Sequence, residues 1–250
     1  MSNNDLGFVS FGDDKEAERR AGIVDLLKAC PIPDSELLYN VGLFLTPQTL
    51  SRVLFMDFLY RQIIDVQGIV AEFGCRWGQN FALFTAMRGI YEPFNRLRKV
   101  VAFDTFEGFP AVKDVDGPQM RLGAYGTAPK YEEYLEQLVA LQEAESPLSH
   151  IKKSEIVKGD VGQTLPDYLE KNPQAIIALA YFDLDLYQPT KDALAAIKGR
   201  LTKGSVLGFD ELNEPACPGE TLAVAEVLGL STYSIRRFPH SARTSYLVIE

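Results

Sequence analysis

Cysteine is scarce in this 250-residue chain: only Cys30, Cys75 and Cys217 occur. An odd count with no C-x-x-C pair and no metal-type spacing excludes a disulfide framework and a zinc ligand set. It points instead to a reduced, cytoplasmic protein. Histidine is scarcer still, with His150 and His240 alone. Dense blocks of lysine or arginine are missing, and 34 acidic against 25 basic residues leave a formal charge of −9. A nucleic acid or an anionic membrane needs a basic footprint, so neither is expected as a partner. A local group around Arg236, Arg237 and Arg243 could still meet a phosphorylated small molecule. No apolar run approaches the ~20 residues of a membrane-spanning helix. The first five residues are polar and lack the basic and apolar regions of a signal peptide. Repeats and low-complexity tracts are also absent. What remains, 46% apolar and 24% charged residues, suits an ordinary globular chain with room for one large α/β domain.

The chain divides at about residue 67. Residues 15–30 mix charges with Ile23, Val24, Leu26 and Leu27, the pattern of an amphipathic helix that Pro31 and Pro33 would end. A second helical run, 49–66, carries Leu50, Val53, Leu54, Phe58 and Leu59. Residues 1–67 are therefore expected to form a helical cap or lid ahead of a main domain, 68–250. There, strand patterns at 69–73, 99–104, 155–157, 175–183, 205–210, 232–237 and 244–249 alternate with helical ones at 80–91, 131–143, 163–171, 189–200 and 219–228. Such alternation predicts an α/β fold with a doubly wound, mostly parallel sheet of Rossmann type. Only 238–243 separate the last two strands, which is too short for a helical crossover, so they should form an antiparallel hairpin.

Ligands gather at the carboxyl ends of the strands in such sheets. Here those ends carry Glu72, Asp104, Asp183 and the pair Asp210-Glu211. One acidic strand end is often a helix N-cap; four in one sheet are better explained by a shared site. The first lies in Gly68-Ile-Val-Ala-Glu-Phe-Gly-Cys-Arg-Trp-Gly78. Glu72, Gly74 and Gly78 make the E-x-G-x-x-x-G loop of methyltransferases that bind S-adenosylmethionine, in which glycine lets backbone N–H groups approach a ligand. Asp104, with Thr105 beside it, is placed to hold a ribose. Its distance from Gly74 and the missing G-x-G-x-x-G weaken a nicotinamide reading. Asp160 can accept from an adenine amine or cap the helix that follows. Asp183, Asp210 and Glu211 come from neighbouring strands. Three carboxylates that close call for a cation, and an all-oxygen set favours Mg²⁺, Mn²⁺ or Ca²⁺. His240, in the hairpin connection, is either a rival catalytic base or a surface residue, and Trp77 lies inside the cofactor loop. The 108–128 stretch, rich in Gly and Pro, is a candidate lid.

The 72–78 loop, Asp104-Thr-Phe-Glu-Gly-Phe-Pro110, Asp183-Leu-Asp-Leu-Tyr-Gln-Pro-Thr190 and Asp210-Glu211 together resemble the macrocin O-methyltransferase family. These are Mg²⁺-dependent sugar O-methyltransferases of antibiotic biosynthesis, and the resemblance runs from about 46 to 214. A relative acting on nucleotide-activated rhamnose in an enediyne pathway is within its scope. The resemblance implies that Glu72, Gly74 and Gly78 hold the methionine part of S-adenosylmethionine, with Asp104 on the ribose and Asp160 near the adenine. It also implies that Asp183, Asp210 and Glu211 bind Mg²⁺, with Asp183 as ligand and base. The metal would then chelate two adjacent sugar hydroxyls. The family usually has two aspartates where this chain has Asp210-Glu211, and Cys75-Arg-Trp-Gly-Gln79 also departs from its pattern. A homo-oligomer is a further expectation from the resemblance. The alternatives are an O-methyltransferase for catechol-like diols and a non-catalytic binding protein on the same fold.

Overall fold

Ile69–Phe73 reads Ile-Val-Ala-Glu-Phe, and every one of its residues is buried, as a strand covered on both faces requires. It is β1 of a seven-stranded sheet in this computed structural model, which describes residues 15–250. The others are β2 (Val100–Asp104), β3 (Ser154–Lys158), β4 (Ile177–Phe182), β5 (Leu201–Phe209), β6 (Arg236–Arg237) and β7 (Ser245–Val248). Their order is β3-β2-β1-β4-β5-β7-β6. The first five run parallel, while β7 lies antiparallel between β5 and β6. This is the doubly wound sheet and terminal hairpin expected from the sequence. The strand order reverses between β1 and β4, which opens a crevice at their carboxyl ends.

The helices are α1 (Glu16–Lys28), α2 (Asp34–Leu37), α3 (Pro47–Gln62), α4 (Gln79–Tyr91), α5 (Tyr131–Ala144), α6 (Val161–Lys171), α7 (Tyr187–Ile197) and α8 (Gly219–Val227). One face of the sheet is covered by α6, α7 and α8 through Leu165, Leu194 and Val224. The other is covered by α3, α4 and α5 through Leu59, Phe84 and Leu135. α3 is thus built into the second core. It starts two residues before the expected point because Thr46 accepts from Thr49 N at 3.2 Å and Pro47 occupies the first turn. Buried Arg98 ties the end of α3 to the sheet by donating to the carbonyls of Ile63, Val66 and Gly68 and pairing with Glu92.

α1 behaves differently, since none of its residues is buried. Its apolar side chains Ile23, Val24, Leu26 and Leu27 stay 38–70% exposed. A 3₁₀ segment, Leu38–Phe44, follows α2; there Leu38 is 83% and Tyr39 90% exposed. The 108–128 stretch is docked: Asp116 is buried, and its Oδ1 accepts from Tyr187 N at 2.7 Å at the start of α7.

Candidate active site

Glu72, the fourth residue of β1, is fully buried, and neither carboxylate oxygen has a hydrogen-bond partner. Burial pushes it from its ordinary 4.5 to about 8, with the positive charge of Arg52 among the opposing influences. Gly74 follows at φ +86, where a Cβ would lie 1.9 Å from the Asp183 carbonyl oxygen. Gly78 sits at φ +75 with Leu135 Cδ1 2.5 Å from its missing Cβ. Both glycines are therefore required by backbone conformation and by close approach.

Asp104 fastens this loop to the end of β2. Its Oδ2 accepts from Arg76 N at 2.7 Å and its Oδ1 from Phe106 N at 2.6 Å. Burial raises its pKa, and those N–H groups pull it back. Thr105 Oγ1 donates to Gly108 O at 2.8 Å, shaping the turn. Asp160 caps α6 by accepting from Gly162 N at 2.9 Å, so the cap reading is realised while the residue still lines the cavity below.

The carboxylates beyond β4 and β5 divide by partner. Asp210 accepts from Tyr181 Oη at 2.6 Å and pairs with Arg52 Nη2 at 2.8 Å and Arg243 Nη2 at 3.0 Å. Burial alone would raise Asp210, but the two guanidiniums and the phenol outweigh it and hold it far below the usual carboxylate range. Arg52 Nη1 also reaches Asp183 Oδ2 at 3.3 Å, and Arg243 pairs with Glu211. One oxygen each from Asp183, Asp185 and Glu211 lies within 4.8 Å of the others. The set that converges thus differs by one member from the sequence expectation. Asp185 stands in it, and Asp210 is engaged by the arginines. Desolvation raises Asp183 and Glu211 strongly and takes Asp185 to about 6, with neighbouring Asp210 adding to each. Glu211 Oε2 is buried without a partner. Three hard oxygen donors, one carboxylate oxygen left unsatisfied and pKa values raised by burial with added repulsion from neighbouring carboxylates together fit a divalent cation.

A cavity of about 270 Å³ joins these parts. Gly74, Asp104 and Asp160 line it together with Asp183, Asp185 and Glu211. Phe109, Met120 and Tyr125 of the 108–128 stretch also lie on its wall. Arg76 sits over the Tyr125 ring at 4.9 Å, coupling the loop after β1 to that segment. His240 is outside this cavity. It is exposed, its carbonyl accepts from Ser51 Oγ at 2.8 Å, and it lines a neighbouring cavity. Trp77 packs edge-on against Tyr131, 4.8 Å between centroids, and does not line the cavity.

Sequence reasoning missed Asp185, Arg52 and Arg243 as parts of the carboxylate cluster. Asp185 is two residues from Asp183, which in a strand would turn the pair alike. β4 already ends at Phe182, however, and Asp185 bends back at φ +58. Arg52 lies 131 residues from Asp183, and no local pattern signals that meeting. Arg243 belonged to the basic group noted near the C-terminal hairpin, which was the available clue.

No protein-family model and no curated protein matches the chain. Solved structures do. The calicheamicin methyltransferase CalS11 is 44% identical over 99% of this chain and 98% of its own, with a TM-score of 0.93. Its apo structure, described as a TDP-rhamnose 3'-O-methyltransferase of calicheamicin biosynthesis, matches at 42% over 96% of both chains, TM-score 0.86. The O-methyltransferase NovP shares the fold at 17% identity over 80% of this chain and 79% of its own, TM-score 0.61. So does the Podospora anserina methyltransferase PaMTH1, bound to SAH, at 10% over 97% and 99%, TM-score 0.51.

Proposed function

The chain belongs to the family of S-adenosylmethionine-dependent sugar O-methyltransferases represented by CalS11, and we propose that it methylates a hydroxyl of a sugar carried on a nucleoside diphosphate, with a divalent metal holding the acceptor. The reading is carried by one observation: the cofactor-type loop after β1 and the carboxylate cluster after β4 and β5 line the same cavity.

In this reading Glu72, Gly74 and Gly78 receive the methionine portion of S-adenosylmethionine, Asp104 and Thr105 the ribose side, and Asp160 the adenine side. Asp183, Asp185 and Glu211 would hold Mg²⁺, which when bound lowers the pKa of an acceptor hydroxyl. Asp183 takes the hydroxyl proton, since it lines the cavity and His240 does not. Asp210 keeps Arg52 and Arg243 fixed at the rim. Phe109, Met120 and Tyr125 exclude water from the transfer. The protein acts as a homo-oligomer whose subunits cover the apolar side chains left exposed between residues 23 and 45.

Calorimetric titration of chelator-treated protein tests the assignment. S-adenosylmethionine should bind without metal, and Mg²⁺ should bind at least tenfold more weakly to Asp183→Asn, Asp185→Asn and Glu211→Gln. Cofactor binding absent under every condition would overturn it.

A further inference from the structure

Beside the catalytic cavity lies a second, of about 800 Å³. The two share Arg52, Asp210 and Arg243 as a common wall. The lining of the second cavity carries three arginines, Arg20, Arg52 and Arg243, and one carboxylate, Asp210; outside the lining, Glu16 pairs with Arg20, Asp183 with Arg52 and Glu211 with Arg243. Asp210 is already committed to Tyr181 and to the two shared arginines. In a chain of formal charge −9, three arginines on one cavity wall are a local concentration of basic side chains.

Two details show unused capacity for an anion. Arg243 engages Asp210 and Glu211 through Nη2 alone, and its side chain is 42% exposed. Thr244, on the same wall, is only 8% exposed, and its Oγ1 makes no hydrogen bond. A buried hydroxyl without a partner is costly unless a ligand supplies one. Guanidinium forks and hydroxyls are the groups that bind phosphate oxygens.

We propose that this second cavity is the diphosphate subsite of the acceptor, with Arg20, Arg52 and Arg243 around the phosphates and the Thr244 hydroxyl bonded to one of their oxygens. The assignment rests on the nucleotide-sugar reading above and adds where the nucleotide lies. It makes the arginine wall serve both sides: Asp210 orients the guanidiniums, and their outer faces receive the phosphates while the sugar reaches the carboxylates.

Thymidine diphosphate and thymidine, titrated separately into protein loaded with S-adenosylhomocysteine, test this. The diphosphate should bind at least tenfold more tightly than the nucleoside, and its affinity should fall with added salt. Thr244→Val, which keeps the side-chain shape, and Arg20→Glu should each weaken the diphosphate at least fivefold while leaving S-adenosylhomocysteine affinity unchanged. That unchanged affinity also reports that the variants are folded. Equal binding of diphosphate and nucleoside, or diphosphate binding unaltered in both variants, would overturn the subsite. Methylation of TDP-rhamnose with an unaltered KM in both variants would sink the subsite and leave the transferase reading standing. Diphosphate binding that follows the expected pattern, without transfer to TDP-rhamnose, would uphold the subsite and sink the acceptor reading.

Discussion

The missing Cβ of Gly74 would lie 1.9 Å from the carbonyl oxygen of Asp183. The loop after β1 and the loop after β4 therefore touch backbone to backbone, and the distance between cofactor side and carboxylate side is set without an intervening side chain. Gly74→Ala must move one of the two chains and also hold an alanine at φ +86, a conformation that L residues rarely adopt. Methyl transfer should fall at least a hundredfold with weakened cofactor binding. Gly199→Ala, where a Cβ meets nothing within 4 Å, is the control and should leave turnover unchanged. Steady-state kinetics beside cofactor calorimetry reads both.

In the proposed assignment, Glu72 links cofactor binding to protons. With its pKa raised to about 8 by burial, its carboxyl is protonated at pH 7. Binding the cationic methionine portion of the cofactor beside it favours the ionised form. Approaching one proton should be released per cofactor bound at pH 7, measured as binding enthalpy across buffers of different ionisation heat. A buffer-independent enthalpy would count against this role.

The same group makes a stability prediction of defined sign. Between pH 4.5 and about 8 the folded state holds a proton that the unfolded chain has released. Stability therefore falls as pH rises through that window and levels off above it. Glu72→Gln removes the slope, so the variant should be less acid-favoured than the parent and more stable than it near pH 9. Denaturant melts of the two proteins across pH check the direction.

Asp160 separates two roles by substitution. Its cap bond to Gly162 N is worth about 1 kcal/mol, so Asp160→Ala should lower the melting temperature by roughly 2–4 °C in a chain of this size. Asp160→Ser keeps a cap but not the reach. It should melt near the parent temperature and bind S-adenosylmethionine at least fivefold more weakly. Unchanged affinity in the serine variant would reduce Asp160 to a cap.

Much of this arrangement was legible before the fold was known. The Ile69–Phe73 strand, buried throughout, announces itself as an unbroken apolar run that ends in Glu72 and a glycine loop. The short 238–243 connection announces the antiparallel pair β6 and β7. Local signals of this kind, period, glycine and connection length, survive in one dimension. The arginine wall does not. Arg52 meets Asp183 and Asp210 only because α3 packs across the sheet, and that packing depends on Phe55, Met56 and Leu59 finding the second core. Asp185 was hidden for a different reason: its approach to Asp183 and Glu211 depends on a single left-handed residue after the strand. The apolar residues of α1 suggest an amphipathic helix, yet it buries none of them. Among the described residues, nothing covers its apolar side chains fully.

The most direct test is the product of the reaction. The protein, S-adenosylmethionine and Mg²⁺ are incubated with TDP-rhamnose or with a catechol, and the products are weighed by mass spectrometry. TDP-rhamnose should gain the mass of one methylene with an equal yield of S-adenosylhomocysteine. Asp183→Asn should lose that product while still binding cofactor. Methylation of the catechol alone, or no methylated sugar from a protein that binds the cofactor, would contradict a nucleotide-sugar O-methyltransferase.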